Sequence, residues 1–460
     1  MRTFARFLTL EPLERHPGRV LTAIGLVFAV LYITAFTVFP RGHGRIVEGD
    51  TIQYYAYLRS LVIDGDVDFT NDYQLLYPPT DDGSANVWLT SRTARGRPTN
   101  LMSIGPALLW APSFLATYLA LVVLRSFGIA IPLDGMAMPF PLSVGVAGII
   151  YATLGAYLCY RSSRLLFAAG PAFWGTLVAW LATPAVYYSL ISPAYSHAAS
   201  LFASALFCYV WLRTRGDERV RRYLWLGILA GLAALVRWQD VVILVLPMCE
   251  LARSVAKERS PLSSVMLRLG LMLGGVATML LPQLLAWRAI YGQFLVMPQG
   301  EGFMQWTSPA LVSVLFSLRH GLFSWTPAVL VAVLGFYYLV RRDALLGRSA
   351  VVVILLAVYI NGSVSDWWAG EAFGARRFVG YTVFFAWGLT ALFARDWQSR
   401  PVLLRWTAVA LVVYNLLFLL QYQLFMRGFR EIAPYPTTIQ QVLFDRLTLP
   451  WHLLRAWLSG

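Results

Sequence analysis

Val20-Leu-Thr-Ala-Ile-Gly-Leu-Val-Phe-Ala-Val-Leu-Tyr-Ile-Thr-Ala-Phe-Thr-Val-Phe39 contains no charged residue. As a helix rising 1.5 Å per residue it covers about 30 Å, the thickness of a bilayer's hydrocarbon core. A helix on the surface of a soluble protein would alternate this apolar stripe with a polar face, and no such face is present. The flank carries Arg15 and Arg19, and no small-residue cleavage site follows. The stretch therefore reads as a retained span rather than a signal peptide.

Similar runs recur along the 460 residues, of which 58% are hydrophobic and 13% charged. A soluble chain carries about 25% charged residues, so the fold class read here is an all-α polytopic membrane protein. The spans fall at about 20–39, 141–160, 167–190, 194–212, 223–236, 240–252, 265–288, 323–340, 349–361, 378–394 and 402–424. The run Leu101–Leu124 is also long enough to cross, but Pro106 and Pro112 interrupt it. It is taken as a re-entrant or interfacial segment, partly because that choice keeps the basic clusters on one side. No short repeat or separate soluble domain is visible, so residues 1–460 form one transmembrane domain with a long first external loop at about 40–100.

Charge sets the orientation. Segments 1–19, 161–166, 213–222, 250–268, 341–348 and 395–405 hold 21 of the 37 Lys and Arg but only 8 of the 23 Asp and Glu. Positive loops stay in the cytoplasm. The amino terminus is therefore expected inside, and the tail 425–460 outside as a small amphipathic cap using Trp451, Leu453, Leu454 and Trp457. The net charge of +14 is thus spent on topology, and nucleic acid is not an expected partner. Cys159, Cys208 and Cys249 all lie in or near apolar spans, so no disulfide is expected. No P-loop, dinucleotide fingerprint, His-Glu-x-x-His or nucleophile elbow occurs at a suitable place, which disfavours an ATP-driven pump.

The polar residues left on the outer side are the candidates for chemistry. Glu48-Gly-Asp50 opens the first loop, and Tyr54, Tyr57, Leu58 and Leu61 give a helix expected to lie on the membrane surface. Asp50 has two readings: the helix N-cap, with Gln53 completing a capping box, or a general base. Glu48 is the reserve base. Asp64-Gly-Asp66-Val-Asp68 resembles a calcium loop but, counted from Asp66, has Tyr77 where the bidentate Glu should stand. It is either a solvated turn or the source of a second site carboxylate, Asp66 or Asp68. His197 starts a span, and Arg237 either pairs with Asp240 or serves a site. Asp366-Trp367-Trp368-Ala-Gly-Glu371-Ala-Phe-Gly-Ala-Arg376-Arg377 puts adjacent arginines at the outer mouth of a span, and a planar guanidinium suits phosphate. Tyr54 and His320 are further candidates.

In Glu48-Gly-Asp50 with its aromatic helix and in Asp64–Asp68, the sequence resembles the polyprenyl-phosphate-dependent GT-C glycosyltransferases, near the bacterial protein mannosyltransferases and aminoarabinose transferases. Pro193-Ala-Tyr-Ser-His197, Leu235-Val-Arg237, Arg319-His320-Gly-Leu-Phe-Ser-Trp325-Thr-Pro327 and Phe373-Gly-Ala-Arg376-Arg377 agree in order. The resemblance implies Asp50 as the catalytic carboxylate, Asp66 or Asp68 as a second loop acid, and Arg376 and Arg377 holding a donor phosphate. It implies a lipid-phosphate sugar donor, inversion at the sugar carbon, and an acceptor glycan, lipid or protein. No cofactor is required, and a divalent cation is compatible with the site. Thr51 stands where relatives often place an acid, which puts a cation or acceptor role for that acid in doubt. The competing reading is a transporter or flippase of lipid-linked sugars. Lys257 is the single lysine, a composition that points to a GC-rich bacterial genome and hence a bacterial inner membrane with the site facing outward.

Overall fold

The computed structural model describes residues 10–38, 45–77, 86–258, 260–370, 372–426 and 438–459. Among them the chain is helical, and its only β pairings are the isolated bridges Arg92–Pro98 and Met304–Val364. The fold is that of an all-α polytopic membrane protein. The helices used below are α1 (Pro17–Thr37), α2 (Asp50–Arg59), α3 (Gly105–Ser126), α4 (Pro139–Arg164), α5 (Ala169–Leu181), α6 (Ser196–Arg213), α7 (Val220–Val236), α8 (Val245–Glu258), α9 (Leu262–Tyr291), α10 (Pro327–Arg342), α11 (Ala344–Gly362), α12 (Thr382–Asp396), α13 (Pro401–Gln421) and α14 (Asp445–Ser459).

Among the described residues seven helices are long and apolar enough to cross a membrane: α1, α3, α4, α9, α11, the stretch Arg376–Asp396 that ends in α12, and Pro401–Leu424, which begins as α13. The other five expected spans are present as shorter helices, and proline accounts for several of the interruptions. The expected span 167–190 stops at Leu181 and resumes at Ala185, because Pro184 cannot donate the next hydrogen bond. Residues 323–340 divide at Thr326, where Pro327 starts α10 in the first turn, the position in which a missing N–H costs nothing. Before α8, residues Trp238–Leu244 form a tighter 3-10 turn.

Small residues let the helices close on one another. Gly25 of α1 faces Thr153 of α4, and Gly145 of α4 faces Tyr32 of α1, so this pair runs antiparallel. Gly155 of α4 packs on Leu201 of α6, and Gly227 of α7 meets the backbone of Met272 on α9. A side chain at any of these glycines would collide with its neighbour.

Several charged residues of one end are tied into pairs. Arg405 bonds Glu14 at 2.6 Å, Arg222 bonds Glu250 at 2.9 Å and Arg268 bonds Glu218 at 3.1 Å. Arg215 pairs with Asp343, which also caps α11 by accepting from Leu346 N at 3.0 Å. These bonds join segments 213–222, 250–268 and 341–348, and join 1–19 to 395–405.

The expectation for 101–124 needs a correction in form. Its prolines do not break it: α3 is one unbroken helix, with Pro106 in its first turn and Pro112 inside. Both flanks of α3 nevertheless touch the same short helix. Asn100 and Leu101 bond Gln53 of α2, while Asp134 and Gly135 accept from Arg59 and Tyr55 of α2. The tail contains α14, on which Trp451, Leu454 and Trp457 are exposed.

Candidate active site

Helix α2 departs from the surface helix that its sequence suggests. Thr51 to Arg59 are all buried, because aromatic or hydrogen-bonding residues occupy every face of it. Tyr54 packs edge-on against Trp110, Tyr55 against Phe114, and Thr51 Oγ1 donates to the Ala194 carbonyl at 3.2 Å. At the far end Arg59 bonds Asp72 at 2.8 Å and Asp64 at 2.7 Å. These contacts fix the helix rigidly, and with it the residue at its amino terminus.

That residue is Asp50. The capping-box reading is not what the structure builds: Gly49 is the N-cap, with φ of 55°, and Asp50 is the first helical residue. Gln53 is used elsewhere, its Oε1 accepting from Leu101 N at 2.7 Å and its amide donating to Tyr77 Oη at 3.2 Å. Glycine is required at position 49 twice over. Its φ is left-handed, and an added Cβ would lie 2.7 Å from the Tyr195 hydroxyl.

Released from capping, the Asp50 carboxylate accepts from Arg376 at 2.8 Å, with its side chain 33% exposed and that of Arg376 12% exposed. Arg376 opens the 3-10 turn Arg376–Tyr381, and its guanidinium lies over the Tyr195 ring at 5.8 Å. Arg377 bonds the Asp366 carboxylate at 2.6 Å and the Asp366 carbonyl at 2.9 Å. Arg237 does not form the expected bridge to Asp240. It donates to Ser196 Oγ at 2.9 Å, and Ser196 Oγ also accepts from Tyr54 at 3.0 Å. Asp240 is buried and accepts from Ser200 Oγ at 2.5 Å. The Nε of Arg237 is buried without a hydrogen-bond partner.

His197 is buried too, in the first turn of α6. Neither ring nitrogen has a hydrogen-bond partner, and the ring sits 4.3 Å from Tyr188 and stacks on Tyr195. The charges of Arg237, Arg376 and Arg377 all reach it. Glu48 is half-buried at the turn into α2, its carbonyl accepting from Thr51 N at 3.1 Å. The charges of Asp50, Glu48 and Arg376 all reach the Tyr195 phenol.

The other acids lie apart. Asp66 accepts from Ser60 Oγ at 2.8 Å and from Asp68 N at 2.9 Å, and Asp68 accepts from Thr70 Oγ1 at 2.7 Å. Both follow the far end of α2, and at 1.5 Å per residue the helix puts roughly 20 Å between them and Asp50. The structure therefore uses the Asp64–Asp68 stretch to close a turn and hold Arg59, and does not bring it to Asp50.

His320 occupies a neighbouring wall. Its φ is 65°, and its Nδ1 is 2.7 Å from the Trp368 carbonyl. Burial, helped by Arg376 and Arg319, pulls its pKa down to about 4 against the opposing pull of that carbonyl, so the ring is neutral at neutral pH. Arg319 lies 4.4 Å over Trp368. Glu371 falls outside the described residues. Sequence reading missed Tyr195, Ser196 and Tyr188 as site-forming residues, although Pro193-Ala-Tyr-Ser-His197 had marked the segment.

Among the described residues no three His, Cys, Asp or Glu side chains gather as a metal centre would need, and the cationic partner of Asp50 is Arg376.

These features define a membrane protein with a carboxylate and three guanidiniums gathered at one end of a helical bundle. No known protein-family pattern matches the sequence, and no curated protein matches it. Solved structures similar to the chain include the archaeal oligosaccharyltransferase AglB from Archaeoglobus fulgidus in complex with an inhibitory peptide and a dolichol-phosphate, at 11% identity, 95% coverage of this chain and a TM-score of 0.48. The Archaeoglobus fulgidus oligosaccharyltransferase in complex with Zn and sulfate is similar at 12% identity, 91% coverage and a TM-score of 0.49. The apo form gives 12%, 95% and 0.46. This chain spans 54%, 58% and 54% of those three chains.

Proposed function

We propose that the chain is an integral membrane glycosyltransferase that moves a sugar from a polyprenyl-phosphate donor to an acceptor on the extracytoplasmic face. The observation that carries this reading is the Asp50–Arg376 pair at 2.8 Å, flanked by Arg377 and Arg237. A rigidly mounted carboxylate beside several guanidiniums has what a displacement at phosphate-activated carbon needs: a base for the incoming group and cations for the leaving one.

The reaction is a direct displacement. The acceptor's hydroxyl or amine attacks the anomeric carbon from the side opposite the phosphate. The bond from that carbon to the phosphate oxygen breaks, and its electron pair leaves on polyprenyl phosphate. The acceptor's proton passes to Asp50, with Glu48 the reserve base. Arg376, Arg377 and Arg237 take the growing phosphate charge, and the unpartnered Nε of Arg237 and ring nitrogens of His197 offer further contacts to the same anion. Charge stabilisation is assigned to these arginines, and no step is routed through a divalent cation. The polyprenyl tail stays in lipid, beside the apolar helices.

The basic segments paired at the opposite end support an orientation with that end in the cytoplasm and Asp50 outside, in a bacterial inner membrane. α3, with both flanks on α2, is then a segment that enters and leaves on the outer side. The acceptor is a glycan, a lipid or a protein.

The test uses purified protein in nanodiscs and a panel of polyprenyl-phosphate sugars, with release of polyprenyl phosphate as readout. Release from one donor supports the transferase and names the sugar. Movement of intact lipid-linked sugar between leaflets, with no release, would instead support the flippase reading.

A further inference from the structure

Arg376 and Arg377 are neighbours in sequence and almost equally buried, with side chains 12% and 13% exposed. A guanidinium removed from water needs an anion, and each has one: Asp50 for Arg376, Asp366 for Arg377. The two carboxylates are mounted differently. Asp50 begins a helix whose remaining residues are all buried. Asp366 stands in the irregular stretch between α11 and the Arg376–Tyr381 turn. Its side chain is 40% exposed, and the backbone behind it turns through two left-handed residues, Ala369 at 62° and Gly370 at 64°. Left-handed alanine is a strained conformation that the surroundings must hold in place.

Asp366 meets Arg377 with two groups. Its carboxylate takes Nη2 and its backbone carbonyl takes Nη1. Only the carboxylate carries charge, so the carbonyl can go on orienting the guanidinium when the carboxylate leaves. The donor's phosphate is a diester with one negative charge and two free oxygens, which suit the same planar fork, and the polyprenyl phosphate that leaves is a monoester with more charge and three acceptor oxygens. A small cavity of about 10 Å³ lies against this stretch, lined by His320, Asn361, Trp367, Trp368 and Arg377 among others, and the Asn361 Oδ1 there is buried without a partner.

We propose that the Asp366 carboxylate is a stand-in for the donor's phosphate on Arg377, and that it sets donor affinity by competing with that phosphate. The inference rests on the transferase reading for the identity of the anion. It makes Asp366 a residue that tunes binding, with no part in the chemical step. Without the stand-in, Arg377 would be a buried cation with no counter-charge in the free protein. With it, the free protein is neutralised locally and the donor must displace a built-in rival.

The experiment compares wild type, Asp366→Asn, Asp366→Ser and Asp366→Glu in nanodiscs. A short-chain prenyl phosphate is titrated against each, with the matching prenyl alcohol as control. Binding is read from tryptophan fluorescence, since Trp367 and Trp368 adjoin Asp366, and the melting temperature checks the fold. The inference expects Asp366→Asn and Asp366→Ser to bind the phosphate about tenfold more tightly and Asp366→Glu to match wild type. Even if one neutral variant fails to fold, the other gives the comparison. Equal or weaker binding by a folded neutral variant would overturn the stand-in and make Asp366 an orienting partner of Arg377. No binding of prenyl phosphate by any variant would overturn it together with the transferase reading. Tighter binding in the neutral variants, with no sugar transferred from any donor, would keep the stand-in and discard the transferase.

Discussion

The two ends of the bundle handle buried charge differently. At the end holding segments 213–222 and 250–268, Arg222 gives both terminal nitrogens to Glu250 at 2.9 Å, and Glu250 also accepts from Trp211 Nε1. At the Asp50 end, Arg237 keeps an unpartnered buried Nε, His197 has two unpartnered ring nitrogens, and Asp240 keeps an unpartnered carboxylate oxygen. The Arg222–Glu250 pair is satisfied on both sides and holds its segments together, although Arg268 Nε at the same end is buried without a partner. Buried polar atoms without partners cost about 1–3 kcal/mol each, and a fold keeps them where a ligand completes the set.

The comparison breaks most clearly through function. Asp50→Asn should lower turnover about 10²–10⁴-fold, the range of a general base, with the fold retained and a lower melting temperature, because Arg376 loses its counter-charge. Arg376→Gln removes a cation from the leaving phosphate and should cost about 10²-fold in kcat/KM, on the scale of losing one transition-state donor. If either variant kept full activity with the fold intact, the Asp50 end would be as structural as the other.

At the opposite end the effect should move from rate to stability. Arg222→Ala takes the charge partner from half-buried Glu250, which keeps its bond from Trp211, and should destabilise the fold by about 1–3 kcal/mol, with kcat unchanged in the protein that remains folded. Thermal unfolding in detergent reads the first, and turnover normalised to folded protein reads the second. A lost kcat would mean that this end also serves the reaction.

A smaller effect concerns pH. His320 has a folded pKa of about 4 against an ordinary value near 6.5. Burial therefore favours the neutral ring, and the folded state binds its proton later than the unfolded state. Stability from this residue is complete above about pH 6.5 and is lost as pH falls towards 4, by at most about 3 kcal/mol at roughly 1.4 kcal/mol per unit. His320→Gln should flatten that part of the stability profile. An unchanged profile would show that the proton reaches the ring with no cost to packing.

The smallest effect expected is at Gly49. Gly49→Ala strains the left-handed turn and presses on Tyr195, for about 1–2 kcal/mol of stability and a modest loss of turnover.

Much of this contrast was legible in the sequence, and the reasons are local. Uninterrupted apolar runs must be helices in lipid, and the arginine-rich segments named one end. Asp50, Arg376 and Arg377 were legible as a resemblance spread over distant blocks, while nothing local said that they touch. The burial of α2 was hidden because Tyr54, Tyr55 and Tyr57 look alike at a membrane surface and in a packed interior. The separation of Asp66 and Asp68 from Asp50 depended on α2 continuing straight into Ser60–Asp64, which periodicity alone did not reveal. The Arg237–Asp240 spacing suggested a pair, but the 3-10 turn aims the two side chains at Ser196 and Ser200 instead.

The most direct test of the central claim is turnover of the matched donor in nanodiscs by wild type and Asp50→Asn, with melting temperature and prenyl-phosphate affinity measured on the same samples. The account predicts turnover reduced at least about 10²-fold, with the fold retained and prenyl-phosphate affinity no weaker than wild type. Equal turnover in the two proteins would contradict it.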